Sequence, residues 1–429
     1  MATARPFARS LLPLLALALA MMLGFTMLAS FGTVQEGAKA EMRLSDYALS
    51  LIQGLSAALP LALFSIPIGI LVDRHNRVRI MTGLVAIFVV GTLLTAVAQS
   101  VWLLFVARML VGIGTTGALT AALSLCADLC APEQRGRALL VVNLGKSLGQ
   151  ALAFGLTGAL FGLFLHGRAP DWFWHAAPWR SAHLALAMLG GLCMIPLLLL
   201  REPARQEVAA STHARFGVIA AELWARRAFL IPLFMGQVSV VMADAAAAIW
   251  AAPVLSRSFG LRPDQFAGWM GSVIFAAGLL GAIVGGLAAD WGQKSGRRGG
   301  LLIAAVAAAA IGIPAAVFPI VPSVPLFAVA LGTLILCGSV TGVVTSVALT
   351  VFIPNELRGL CIGAFIAVAG LIGFGLAPTL VAAASSLLGG EQNLDRGLAS
   401  VGVATSALSL VAFIVAMRRA PVSATAQPI

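Results

Sequence analysis

The segment NLGKSLGQ, Asn143 to Gln150, is compatible with three different chemistries. Gly145-x-Ser147-x-Gly149 has the spacing of a serine-hydrolase elbow, which stands the serine on a sharp turn between a strand and a helix. Gly145-Lys146-Ser147 ends like a phosphate-binding loop, whose amides and lysine cradle phosphate. The third reading is a lysine held inside a membrane helix, with Asn143 at i−3 and Gln150 at i+4 on the same face. The elbow fails because the residues before Ser147 form an apolar run and no acid or histidine offers a base. The phosphate loop requires a glycine five positions before Gly145, where Leu140 stands.

The third reading gains from two other deep charges, Arg108 and Asp244. A charge at bilayer depth costs roughly 2.5–3.5 kcal/mol, so each should face a partner or a watery cavity. Lys146 either pairs with a buried acid or meets substrate. Asp244, in VVMADAAAAIW, either carries a proton during transport or forms an ion pair with Arg108 or Lys146 that holds structure. Two cations against one acid leave positive charge in excess, which points to an anionic or amphipathic anionic solute. The expected substrate residues are Arg108, Asn143, Lys146, Gln150, Asp244 and the neighbouring Trp250.

What must position these groups follows from composition. Of 429 residues, 60% are hydrophobic and only 10% charged, so lipid rather than water must solvate most of the chain. The net charge of +11 then reflects topology and not nucleic acid. Cys126, Cys130, Cys193, Cys337 and Cys361 all fall in or beside apolar segments and read as packing residues, without metal or disulfide spacing. No cofactor motif is expected. The apolar run after MATARPFARS is longer than a signal h-region and reads as a first spanning helix that stays attached.

Twelve spans are expected, at 10–32, 46–71, 79–99, 101–127, 138–164, 181–200, 228–256, 265–289, 300–320, 324–350, 359–384 and 397–417. The polar interval 201–227 divides them into an N-terminal six-helix bundle (1–200), a cytoplasmic linker and a C-terminal six-helix bundle (228–429). With the N-terminus inside, cytoplasmic segments hold 18 Lys and Arg and outer loops 7, which favours both termini cytoplasmic in an inner membrane. Trp172, Trp174 and Trp179 suit the headgroup boundary. The halves repeat: GILVDRHNRVR, Gly69 to Arg79, matches GLAADWGQKSGRR, Gly286 to Arg298, with Gly four residues before Asp73 and Asp290. Arg135-Gly136 and Arg358-Gly359 occupy corresponding later loops. Duplicated halves are a plan of secondary transporters.

GILVDRHNRVR resembles the signature between helices 2 and 3 of the major facilitator superfamily, through Gly69, Leu71, Asp73, Arg74 and Arg77. Asn76 stands where a glycine is usual, and Val72 where a small residue is. Arg108, Gly112 and Gly114 resemble its R-x-x-x-G-x-G signature. LSDYALSLIQG, PWRSAHLAL with REPAR, and LIGFGLAP resemble spinster-like members. The usual acid–arginine pair of span 1 is replaced by Met27 and Leu28, so its coupling role does not carry over. Gly145 and Gly149 fit the antiporter motif G-x-x-x-G-P, but Gln150 replaces the proline.

The resemblance implies an all-α membrane protein, twelve transmembrane helices in two pseudo-symmetric six-helix bundles, with spans 1, 4, 7 and 10 lining a cavity and 3, 6, 9 and 12 facing lipid. These last contain no deep charge, apart from His183 near an end. It also implies a cytoplasmic gate from Gly69, Asp73, Arg74, Arg77, Asp128, Arg135 and Asp290, against the alternative of loop charges that only set topology. Thr350 stands where the second half would need an acid like Asp128, so that half's gate should be weaker. The expected function is a secondary transporter, not an enzyme, working as a monomer on a small molecule by alternating access, with proton coupling at Asp244. The alternatives are an exporter of cationic or neutral drugs and a non-transporting receptor or scaffold.

Overall fold

The computed structural model describes residues 7–130, 134–168, 170, 173, 176–203, 224–353 and 355–421, with side chains of 7–10, 127 and 355–360 not described. The tryptophans at 172 and 174, the linker residues 204–223 and the side chain of Arg358 therefore lie outside the described residues.

The described residues contain twelve helices long and apolar enough to cross a membrane. In chain order they are α1 (Phe7–Met42), α2 (Asp46–Arg74), α3 (Arg77–Val97), α4 (Val101–Leu129), α5 (Arg135–Leu165) and α6 (Pro178–Leu198). They continue with α7 (Arg227–Phe259), α8 (Pro263–Lys294), α9 (Gly300–Ile320), α10 (Val324–Phe352), α11 and α12 (Leu394–Arg419). Helix α11 runs from Asn355–Ala369 through a π-helical stretch, Gly370–Leu376, to Ala377–Leu387. The protein is thus a multi-pass membrane protein, and all twelve expected spans are found. Large apolar side chains such as Ile66, Leu199, Leu287, Val329 and Val411 lie exposed, which in water would promote aggregation and in lipid is the solvated state.

Helix α1 departs from expectation. It was expected to end near residue 32 but continues to Met42, carrying Glu36, Lys39 and Glu41 on its last turns. The polar sequence is helical because it finds protein partners described below, and it stops at Arg43, whose φ of 53° is left-handed.

The chain forms two compact units, one of Met1–Ala209 with Leu255–Phe275, the other of Ala210–Val254 with Ala276–Ile429. In the first, α1 packs on α5, α4 on α2 and α3, and α6 on α3. Its core includes Leu17, Met21, Phe88, Val111 and Leu125. In the second, α9 packs on α10 and α12 around Leu233, Leu302, Val344 and Phe413. All five cysteines are free thiols, four of them buried.

Candidate functional site

Gly145 and Gly149 face α1 so closely that a methyl group on either would overlap a backbone carbonyl, that of Ala18 or Met22. Small residues let membrane helices approach this way. Hydroxyls reinforce the seam: Thr26 donates to the Gly149 carbonyl at 3.1 Å and Thr33 to that of Ala153 at 3.0 Å. Lys146, between the two glycines, is half-buried and puts its ammonium 5.2 Å from the centroid of the Phe25 ring. The aromatic face offers it partial charge compensation. Among the described residues it has no ion pair. Asn143 and Gln150 are exposed, and the Asn143 amide donates to the Leu139 carbonyl of its own helix at 3.0 Å.

Arg108 is almost fully buried, at 3% exposure. Gly114 brings α4 against the Leu84 carbonyl of α3, and Gly112 brings it against Pro60 and the Ser56 carbonyl of α2. The guanidinium reaches α1, donating from Nη1 to the Met27 carbonyl at 3.0 Å and from Nη2 to the Leu28 carbonyl. It stands 5.6 Å from the Phe31 centroid, and its Nε has no hydrogen-bond partner. These carbonyls belong to Met27 and Leu28, where the sequence lacks the acid–arginine pair. Backbone oxygens supply dipoles but no countercharge, so the cation has no charged partner among the described residues.

His183 is also in this interior. It lies near the start of α6, as expected, and is 0% exposed, with Nδ1 2.7 Å from the Trp179 carbonyl and Nε2 3.3 Å from Ser30 Oγ. Sequence reasoning missed its burial because a histidine five residues into a helix looks terminal until the neighbouring helices are known to extend past it.

In the second unit, Asp244 packs its carboxylate against Gly338 of α10, and its Oδ1 is buried without a hydrogen-bond partner. Among the described residues it forms no ion pair. Trp250, two turns on, is fully buried and donates its indole N–H to the Pro378 carbonyl at 3.1 Å.

The residues expected at the gate divide. Arg77 is a buried hub: Nη1 pairs with Asp128, Nε with Glu202 at 2.8 Å, and Nη2 donates to the Pro203 carbonyl at 3.1 Å. Glu202 also accepts from the Val78 amide at 2.9 Å, capping α3. Glu202 was missed because REPAR gave a family likeness but no spacing that pairs it with Arg77. Gly69 has open space where a side chain would be, while Asp73, Arg74 and Asp290 are exposed and Arg135 is half-buried at the start of α5. Thr350 returns its hydroxyl to the Val347 carbonyl.

A second charged cluster, also missed, sits at the other end of α1. Arg257 binds Glu36 and Asp46, and Lys39 binds Asp46 at 2.6 Å. Glu41 accepts from the Trp179 indole at 2.6 Å and from Arg180 at 2.8 Å. Among the described residues no group of three metal-ligating side chains is placed to hold an ion.

Twelve membrane helices, among which Arg108, Lys146 and Asp244 have no ion pair among the described residues, define a polytopic membrane protein. The chain belongs to the Major Facilitator Superfamily, whose family model matches residues 13–378. It is 30% identical over 250 residues to human protein spinster homolog 1, a match covering 54% of this chain and 44% of that protein, so it spans less than half of that relative. It is 26% identical over 404 residues to the gentisate transporter of Corynebacterium glutamicum, covering 90% of this chain and 83% of that one. Its fold matches the crystal structure of a bacterial homologue of the human lysosomal transporter Spinster, in an inward-facing and unoccupied conformation, with TM-score 0.79, 24% identity, and coverage of 95% and 96%.

Proposed function

We propose that the protein is a secondary active transporter of organic anions that works by alternating access, with aromatic carboxylates as its first substrates to test. The observation that carries this is Arg108: a buried guanidinium with a free Nε and no carboxylate partner among the described residues. Lys146 adds a second cation without an ion pair among the described residues. A carboxylate solute supplies the missing charge, and aromatic rings such as Phe25 and Phe31 beside the two cations suit an aromatic body. The relative named a gentisate transporter, similar over most of both chains, supports that choice of cargo. The charge bias of the loops supports a cytoplasmic membrane with both termini inside.

Proton coupling through Asp244 is part of the same reading, because a buried carboxylate with an unpartnered oxygen has a reason to bind a proton. Asp244 also favours a second reading, export of cationic drugs, since an acid with no ion pair among the described residues suits a cation. Thermal stabilisation of purified protein by 2,5-dihydroxybenzoate, longer organic anions and cationic drugs separates the two. Stabilisation by anions that is lost in Lys146→Ala supports anion transport. Stabilisation by cations alone, equal in wild type and variant, transfers the assignment to drug export. Asp244→Asn that accumulates substrate equally at every pH removes Asp244 from coupling.

A further inference from the structure

We propose that His183 is a proton-binding residue that answers an anion at Arg108, the two being joined through Ser30 and the Met27 carbonyl. The proposal rests on the anion reading above and adds a proton site in the first unit, separate from Asp244.

The argument is one of donor counting. His183 Nδ1 lies 2.7 Å from the Trp179 carbonyl, which can only accept, so Nδ1 carries a hydrogen. Nε2 lies 3.3 Å from Ser30 Oγ, and Ser30 Oγ lies 3.0 Å from the Met27 carbonyl. The serine has a single hydrogen to give. With neutral His183 it goes to Nε2, and Met27 is left to Arg108. With His183 protonated, Nε2–H donates to Ser30 and the serine hydroxyl turns to Met27. That oxygen already accepts from Arg108 Nη1 at 3.0 Å and from the helical amide four residues on. A carbonyl has two lone pairs, so a third donor competes with the guanidinium and frees its N–H for a carboxylate. The step is a simple protonation: an O–H bond of hydronium breaks, the Nε2–H bond forms, and water leaves. Ser30 changes only its torsion.

Electrostatics run in the same direction. Arg108 of α4 is the charged neighbour of this chain, and Lys146 of α5 stands over Phe25 nearer the opposite end of α1. Glu41 of α1 is held by Trp179 and Arg180 one turn before His183, and the charges of α3, Arg77 and Arg79, lie at its far end. A proton on His183 therefore adds a second buried cation beside Arg108, and an anion at Arg108 offsets both. Linkage makes this reciprocal: whatever factor the anion gives to protonation, protonation gives to anion affinity. Anion and proton would move together, and affinity would rise on acidification.

The test uses the full chain in phosphatidylcholine bilayers with nitrogen-15 histidine. His183→Gln identifies one signal among five histidines. The expected result without any anion is the Nδ1–H tautomer at pH 8 and an imidazolium on acidification. Adding 2,5-dihydroxybenzoate should then increase the imidazolium fraction at fixed pH. Ser30→Ala, a change of one atom, should leave Arg108 in place but weaken that response several-fold. Calorimetry in two buffers should read proton uptake on anion binding in wild type, and about one proton fewer per anion in His183→Gln. A neutral Nε2–H tautomer, a His183 that never titrates down to pH 5, or undiminished proton uptake in His183→Gln overturns the proposal. If no anion stabilises the protein while His183 still titrates as described, the anion reading fails and the proton site stands.

Discussion

The carboxylate of Asp244 occupies the space that a side chain on Gly338 would need. A methyl group built on Gly338 overlaps both carboxylate oxygens. The glycine of α10 is therefore what holds the acid of α7, and Gly338→Ala should push the carboxylate out of its seat while leaving its chemistry intact. We expect that variant to lose about 1–3 kcal/mol of stability, as overpacked interiors do. Its transport defect should match that of Asp244→Asn in proteoliposomes. Wild-type uptake in a folded Gly338→Ala protein would detach Asp244 from the transport cycle.

The seam of α1 and α5 makes a second, self-controlled prediction. Gly145 abuts the Ala18 carbonyl, whereas a side chain on Gly155 of the same helix meets nothing within 4 Å. Gly145→Ala should lower the unfolding temperature in detergent, by a destabilisation of about 1–3 kcal/mol. Gly155→Ala should be neutral or slightly stabilising, because alanine is the better helix former. Equal effects at the two positions would mean that Gly145 is not a packing residue.

These two glycines show what sequence could and could not reveal. Spans were legible because lipid demands long apolar runs, and the depth of Lys146 followed from its place in one. Partners were not. Arg108 was expected to face substrate, a watery cavity or Asp244, and its donors end on the carbonyls of Met27 and Leu28, because a backbone acceptor leaves no trace in residue identity. Glu202 reaches Arg77 across 125 positions, a distance that no spacing rule covers. Helix α1 outran its expected end because Glu36 and Glu41 are stabilised by Arg257 and Arg180, contacts that only the fold creates.

The Arg77 hub predicts strong coupling. Removing the arginine takes one ion pair from each of Asp128 and Glu202, which are 10% and 25% exposed, so Arg77→Ala should cost on the order of 3–5 kcal/mol. Glu202→Gln should cost less, because Asp128 still neutralises the cation and the amide oxygen can still cap Val78. In a double-mutant cycle of Asp128→Asn with Glu202→Gln, the two changes should depart from additivity by about 0.5–3 kcal/mol, since both act on one guanidinium. Additive losses in thermal unfolding would show two independent surface pairs instead of a hub.

Arg257 gives the sharpest test of side-chain geometry. Its Nε and Nη2 bind the two oxygens of Glu36 at 3.0 and 2.7 Å, and its Nη1 and Nη2 bind those of Asp46, each at 2.7 Å. A planar fork with five donors can serve two carboxylates at once, whereas an ammonium is a point charge on a flexible stem. Arg257→Lys keeps the charge, yet it should recover only a minor part of the stability lost in Arg257→Ala. The loss should fall mainly on Glu36, because Asp46 retains Lys39 at 2.6 Å. Glu36→Gln in the Arg257→Ala background should therefore restore stability, by removing a carboxylate whose arginine partner is gone, while Asp46→Asn should not, because it breaks the remaining ion pair with Lys39. Unfolding temperatures of the five proteins decide it. Full rescue by lysine would show that charge alone, and not the fork, holds this end of α1.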